Sequence, residues 1–266
     1  LYYRSYKPVP HQVERQRTGI KRGDRQVEMD RQTLSERIEV LAGLMSESRR
    51  IVLFTGAGIS TDSGLPDSRG PDGVWTRRDK GLPPKDEDRD WSQASPNISH
   101  NAIVELQSMG KLHFLVSQNI DNLHLASGIK FEKLAELHGN MTRSRCKRCE
   151  ETYPKNEAPD RCSCGGSLKS SVVGFGDSMP TRDLNDSFAC AESCDLMIVL
   201  GSSLVVTPAA TVPQVAHSAG AKLVIVNQGE TPLDRFADLR FDESIVEVFP
   251  PAVDQLKILV SNRGIQ

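Results

Sequence analysis

Four cysteines crowd into nineteen residues, as Cys146-Lys147-Arg148-Cys149, twelve further residues, and Cys162-Ser163-Cys164. Two residues between the first pair let both thiolates turn onto one tetrahedral ion, and the intervening loop returns the second pair. The expectation is a structural zinc held by Cys146, Cys149, Cys162 and Cys164. Four protein ligands leave no open position, so this metal would not catalyse. The single residue between Cys162 and Cys164 departs from the common spacing of two. Cys190 and Cys194 lie apart from the cluster and read as core residues of a helix. Clustering of this kind argues against a disulfide-stapled secreted chain and for a reducing compartment.

Three other groups could do chemistry on a ligand. Gly56-Ala57-Gly58-Ile59-Ser60-Thr61 follows an apolar run directly. Strand, glycine turn and helix start are what cradle a pyrophosphate, because glycine allows close backbone approach and free N–H groups bind the anion. The third glycine of the fingerprint is displaced to Gly64, so an ordinary tight turn stays the alternative. Gln118-Asn119-Ile120-Asp121 follows a second apolar run and places amides and a carboxylate where open α/β sheets bind ligands. His138, in Glu136-Leu137-His138-Gly139-Asn140, could accept a proton near neutral pH. Taken alone such a histidine is more often a structural or surface residue than a catalyst, which is the reading kept for His11, His100, His113 and His217.

The elements that must position these groups alternate along the chain. Apolar runs at Ile51–Thr55, His113–Ser117, Leu196–Leu200, Leu223–Val226 and Ile245–Phe249 suit parallel strands buried on both faces. Helical periodicity marks Thr33–Ser48, Ser99–Met109 and Pro208–Ala219. The fold expected is α/β, a doubly wound parallel sheet of Rossmann type with a smaller inserted zinc-binding module. The nucleotide-binding domain takes residues 33–142 and 168–262, and the module takes 143–167. A loop rich in Pro, Gly, Asp and Arg runs over about 62–96.

Thirty-three basic residues against thirty-five acidic ones give a formal charge of -2, so no global field steers the chain to nucleic acid or a membrane. No apolar run approaches the roughly 20 residues that span a bilayer. An apolar leader is not seen, and the expectation is an intracellular protein, cytoplasmic or nuclear. Residues 1–32 carry eight Lys or Arg against four acids and read as a loosely held basic extension. A nucleic-acid arm is the alternative reading of that stretch.

In order along the chain stand Gly-Ala-Gly-Ile-Ser, Pro66-Asp67-Ser68-Arg69-Gly70, Gln118-Asn119-Ile120-Asp121, Leu137-His138-Gly139, the four cysteines, Gly201-Ser202-Ser203 and Val226-Asn227. This succession resembles the sirtuins, NAD-dependent protein lysine deacylases, from about Leu34 to Phe249. Gly73-Val74-Trp75-Thr76 and Ala237-Asp238-Leu239-Arg240 look most like the branch with the nuclear mammalian members.

The resemblance implies roles. Gly56, Ala57, Gly58, Ser60 and Thr61 would line the pyrophosphate and the nearby ribose of NAD. Asp67 and Arg69 would belong to a cofactor-binding loop, with Trp75 closing over it. Gln118 and Asn119 would meet the nicotinamide ribose, and Ile120 and Asp121 the carboxamide. Gly201, Ser202 and Ser203 would meet the phosphates and adenosine end, Asn227 and Gln228 the adenosine ribose, and Ile245 the adenine. Asn119 and His138 would be catalytic, His138 as the general base. An acyl-lysine peptide would lie between the two domains, paired as an added strand with 175–177 and 203–206. The products would be nicotinamide, lysine and O-acyl-ADP-ribose.

Three positions depart from the family pattern. Ser68 replaces an aromatic that shields the reacting ribose, which would slow deacylation or divert NAD to water. Asn122 replaces a glycine, although Asn tolerates positive φ. Gly174 replaces a bulky residue. An ADP-ribosyl transferase or NAD glycohydrolase is therefore the alternative enzyme, and a non-catalytic NAD or ADP-ribose sensor the alternative from a different class.

Overall fold

Runs of Val, Ile, Leu and Phe without polar alternation must be covered on both sides, and two of them are buried at every residue: Ile51–Thr55 (β1) and Leu196–Leu200 (β7). The computed structural model that shows this describes residues 32–70, 73–83, 90–174 and 176–263. The basic extension expected over 1–32 lies, but for its last residue, outside the described residues.

Four more strands join these two: Leu112–Ser117 (β2), Leu134–Glu136 (β3), Lys222–Val226 (β8) and Leu239–Phe241 (β9). The six form one parallel sheet in the order β3-β2-β1-β7-β8-β9. Their last residues are register partners across the whole sheet. Glu136 pairs with Ser117, Ser117 with Thr55, Thr55 with Leu200, Leu200 with Val226, and Val226 with Phe241. The loops after all six strands therefore leave the sheet at one level.

Helices cover both faces. Leu34–Glu47 (α1), Ile98–Ser108 (α3) and Ile245–Arg263 (α7) pack together. Thr181–Ser193 (α5) and Thr211–Ser218 (α6) pack together elsewhere. Val52, Phe54, Val116, Met197 and Val199 share a buried cluster with Ala191 of α5 and Val212 and Ala216 of α6. Each fully buried Leu, Ile or Phe of this kind contributes about 1.5–3 kcal/mol. Two short helices, Val74–Asp79 (α2) and Leu123–Ser127 (α4), sit in the loops after β1 and β2.

Ile245–Phe249, expected as a strand, is instead the start of α7. Five apolar residues suit a buried helix as well as a buried strand, and the helix runs on through Pro250 and Pro251. Val248, Phe249, Ala252, Val253 and Leu256 are buried there, so core packing outweighs the cost of the prolines.

The second sheet is built from Arg143–Cys146 (β4), Thr152–Pro154 (β5) and Leu168–Ser170 (β6), antiparallel and in the order β5-β4-β6. It runs past the boundary drawn at 167, because β6 must return along β4 to pair. No helix among the described residues is long and apolar enough to cross a membrane.

Candidate functional site

In a sheet with this strand order the connections diverge between β1 and β7, and the crevice beyond their carboxyl ends is where such folds hold ligands. The two loops flanking it touch. The Gly58 N–H donates to the Gly201 carbonyl at 3.0 Å, and a Cβ on Gly58 would lie 2.8 Å from the Gly201 Cα. Glycine is required on both sides for this approach, and Gly201 adds a φ of 66°. Residues Ala57–Ser63 form a 3-10 helix after the turn. Thr61 is exposed, its hydroxyl donating to the Gly58 carbonyl.

The loop after β2 supplies the polar cluster. The Ser60 hydroxyl donates to Asp121 at 2.6 Å, while the Asn119 amide donates to Ser60 at 3.1 Å and to Asp121 at 3.2 Å. The other Asp121 oxygen accepts the Leu123 N–H at 2.9 Å. Asn122, expected to tolerate a positive φ, adopts 69° as it starts α4. Asn119 is buried, and its Oδ1 has no hydrogen-bond partner. An unmatched buried acceptor costs roughly 1–3 kcal/mol, which a ligand hydroxyl would recover.

Gln118 links that loop to two others. Its side-chain carbonyl accepts the Ser202 hydroxyl at 2.7 Å, and its main-chain carbonyl accepts the His138 Nδ1–H at 2.8 Å. A carbonyl can only accept, so the proton is on Nδ1 and Nε2 is the basic atom. Burial pushes the imidazole below its usual 6.5, with the Gln118 bond working the other way. His138 is thus neutral at pH 7. Gly139 follows with φ 76°, where a Cβ would collide with the Ser171 carbonyl.

Hydrogen bonds join Ser60, Asn119 and Asp121 in one group and Gln118, Ser202 and His138 in another, the two meeting where Asn119 follows Gln118 in the chain, and Gly56 and Gly58 join them through contact with the 201–202 turn. Ala57, Ile120 and Ser203 are half-buried on the same three loops. Among the described residues, no hydrogen bond or ion pair joins Asp67, Arg69, Asn227, Gln228 or Ile245 to this cluster. Asp67 accepts the Gly70 N–H, and Arg69 pairs with Asp79 in the exposed loop after β1. Trp75 stands in α2, its side chain outside the described residues. Asn227 caps the end of β8 against β9 through its N–H to the Phe241 carbonyl, and Gln228 is exposed. Ile245 is buried at the start of α7. The segments expected to flank a peptide, at 203–206 and 176–177, are irregular, and Phe175 lies outside the described residues.

Sequence reasoning left several residues aside. Asn97 caps α3 reciprocally with His100 and donates to the Ile59 carbonyl at 2.8 Å and to Ser63 at 3.1 Å, holding the 3-10 helix. An Asn before an apolar periodic stretch is an N-cap signal that could have found it. His124 bonds Thr55 at 2.9 Å and lies against His100, with ring centroids 5.1 Å apart. Burial lowers His100 to about 4 and His124 well below 6.5, so both are neutral. Glu136 is pushed up to about 7 by burial, against a hydrogen bond from Asn140.

In the inserted sheet the four cysteine sulfurs lie within 4.8 Å of one another, with Cys146 to Cys164 and Cys149 to Cys162 each at 3.5 Å. Zinc–sulfur bonds of about 2.3 Å in a tetrahedron set sulfurs about 3.8 Å apart, so the group fits a closed zinc shell. Cys190 and Cys194 are not part of it and pack by the α5–α6 cluster.

A doubly wound parallel sheet, glycine loops meeting at its switch point and a neutral histidine in the loop after β3 are the arrangement of nucleotide-binding α/β folds. The model of the Sir2 family matches residues 85–208. A protein of Bradyrhizobium diazoefficiens named NAD-dependent protein deacetylase 1 is 39% identical over 241 residues, covering 81% of this chain and 95% of that protein. The NAD-dependent protein deacetylase SRT1 of Oryza sativa subsp. indica is 42% identical over 220 residues, 77% of this chain. This chain spans only 45% of the rice protein's length. A solved Sir2 homolog–NAD complex superposes with a TM-score of 0.67 at 32% identity, covering 83% of this chain and 94% of its own. A Sir2 structure with a p53 peptide and NAD+ gives a TM-score of 0.62 at 35% identity, covering 86% and 99%. The chain belongs to the Sir2 family.

Proposed function

We propose that this chain is an NAD-dependent protein lysine deacylase that releases nicotinamide and O-acyl-ADP-ribose. The observation that carries the reading is the state of His138: its Nδ1–H is spent on the Gln118 carbonyl and burial keeps the ring neutral, so Nε2 is a ready base. Bound NAD supplies a ribose–nicotinamide bond whose cleavage leaves an electrophilic ribose carbon, which the acyl-lysine oxygen can capture.

The residues then have these parts. With NAD and peptide bound, His138 Nε2 would take the proton of a ribose hydroxyl as that oxygen bonds to the acyl carbon, and one water would be consumed as the acyl carbon–nitrogen bond breaks and lysine leaves. Asn119 Oδ1, the unmatched buried acceptor, orients a hydroxyl of that ribose. Asp121 and Ile120 hold the carboxamide, with Ser60 fixing the Asp121 carboxylate. Gly56, Ala57, Gly58, Thr61 and Gly201 let the backbone approach the phosphates, and Ser202, Ser203, Asn227, Gln228 and Ile245 take the adenosine end. Asp67, Arg69 and Trp75 belong to the loop that covers the cofactor. The acyl-lysine peptide lies between the sheet and the zinc module. The cysteine shell holds zinc for structure alone.

Incubation with NAD, with and without an acetylated peptide, tests the reading. Peptide-dependent nicotinamide release supports it. Release without peptide favours the second reading, an NAD glycohydrolase or ADP-ribosyl transferase, for which Ser68 is the motivating residue. No release in either arm leaves a sensor.

A further inference from the structure

We propose that Asn140 is a positioning residue for His138, clamping the turn that carries the histidine to the loop that carries Asn119 and Asp121. The inference rests on the reading of His138 as the base. Asn140 is fully buried, and its side chain uses every hydrogen bond it can make. One side-chain N–H donates to Glu136 at 2.6 Å and the other to the Asn122 side-chain carbonyl at 2.9 Å. Its own carbonyl oxygen accepts the Thr142 N–H at 2.9 Å and hydroxyl at 2.8 Å.

The placement matters more than the count. Glu136 precedes His138 by two residues and Asn140 follows it by two, so their bond closes the turn around the histidine. Asn122 directly follows Asp121, so the second bond crosses to the ligand-facing loop. The two loops are otherwise tied by main-chain acceptors: Gln118 to His138 at one end, and Ile120 to the Met141 N–H at 2.8 Å near the other. Asn140 to Asn122 is a side-chain tie between them that touches no reacting group. A base displaced by about 1 Å loses on the order of 10²-fold in rate. Loss of this clamp should therefore appear in kcat before it appears in binding.

The test compares the parent with Asn140→Ala, Asn140→Asp and Asn122→Gly. Asn140→Asp keeps the acceptor for Thr142 and removes both donors. Asn122→Gly removes only the far acceptor, at a φ that suits glycine. The expected result is a fall in kcat of about tenfold or more for both Asn140 variants, with KM for NAD within about threefold, and a smaller fall for Asn122→Gly. Amide exchange at 138–141 should accelerate in all three. Retention of near-parent kcat by Asn140→Asp would show that the Thr142 contact alone matters and would overturn the clamp. If Asn140→Ala does not fold, Asn122→Gly decides, and an unchanged kcat with unchanged exchange overturns the proposal. If the parent itself lacks NAD-dependent activity, the functional reading fails, while exchange at 138–141 still decides the clamp.

Discussion

The main-chain carbonyl of Gln118 accepts the Nδ1–H of His138 across 2.8 Å, and this one bond sets the tautomer of the histidine. Burial lowers the imidazole from its usual 6.5. A base must be unprotonated to act, so activity should fall only as pH drops below 6.5, through the depressed value. His138→Ala should bind NAD much as the parent does and lose about a hundredfold or more in deacylation rate. Calorimetric NAD titration beside a peptide assay checks both halves, and activity within a few-fold of the parent would remove the base assignment.

Freshly purified, reduced protein should contain one zinc per chain by elemental analysis. Because the shell is closed, Cys149→Ala should lower thermal stability and activity together, with no metal replacement restoring rate beyond what it restores in folding. An absence of zinc would sink the four-cysteine reading.

Buried Glu136 should leave a mark on the stability curve. Its folded value of about 7 stands above its ordinary 4.5, so the stability it contributes is present below 4.5 and is lost as pH rises through 7. His100 works in the opposite sense. Its folded value of about 4 lies below 6.5, so its contribution is present above 6.5 and is lost as pH falls towards 4, on the order of 3 kcal/mol in all. Glu136→Gln keeps an acceptor for Asn140 and removes the titration. Its melting temperature relative to the parent should rise from pH 5 to about pH 7 and level off above it. A constant difference across that range contradicts the assignment.

Ser68 is half-buried in the loop after β1. If it leaves the reacting ribose open to water, Ser68→Phe should raise the ratio of deacylated peptide to NAD consumed. Should another side chain already seal the pocket, the added ring would overpack the loop and slow turnover at an unchanged ratio. Product ratios by chromatography separate the two.

The long buried strands are legible in the residues. β1 and β7 begin and end where the expected runs do, because a strand covered on both faces favours apolar side chains, and the one polar residue, Thr55 at the end of β1, is satisfied by His124 at 2.9 Å. Leu134–Glu136 and Leu239–Phe241 are three-residue strands, too short for any periodicity to show, and exist because neighbours offer them a ladder. The run at 245–249 misleads, since period cannot separate a buried helix from a buried strand. The cysteine cluster is readable from spacing alone. Asn140 and Glu136 are not, because nothing in a sequence announces which two buried polar groups will face each other.

The Gly139 region carries one more consequence. The chain leaves the parallel sheet for the zinc module just after His138 and comes back beside it. The Ser171 N–H donates to the Arg143 carbonyl at 3.0 Å, and the Val173 N–H to the His138 carbonyl at 2.9 Å. Outgoing and returning segments thus cross the junction side by side, with the histidine at the crossing. His138 is held from two sides there, its ring by the Gln118 carbonyl at the end of the sheet and its own carbonyl by the Val173 N–H of the returning segment.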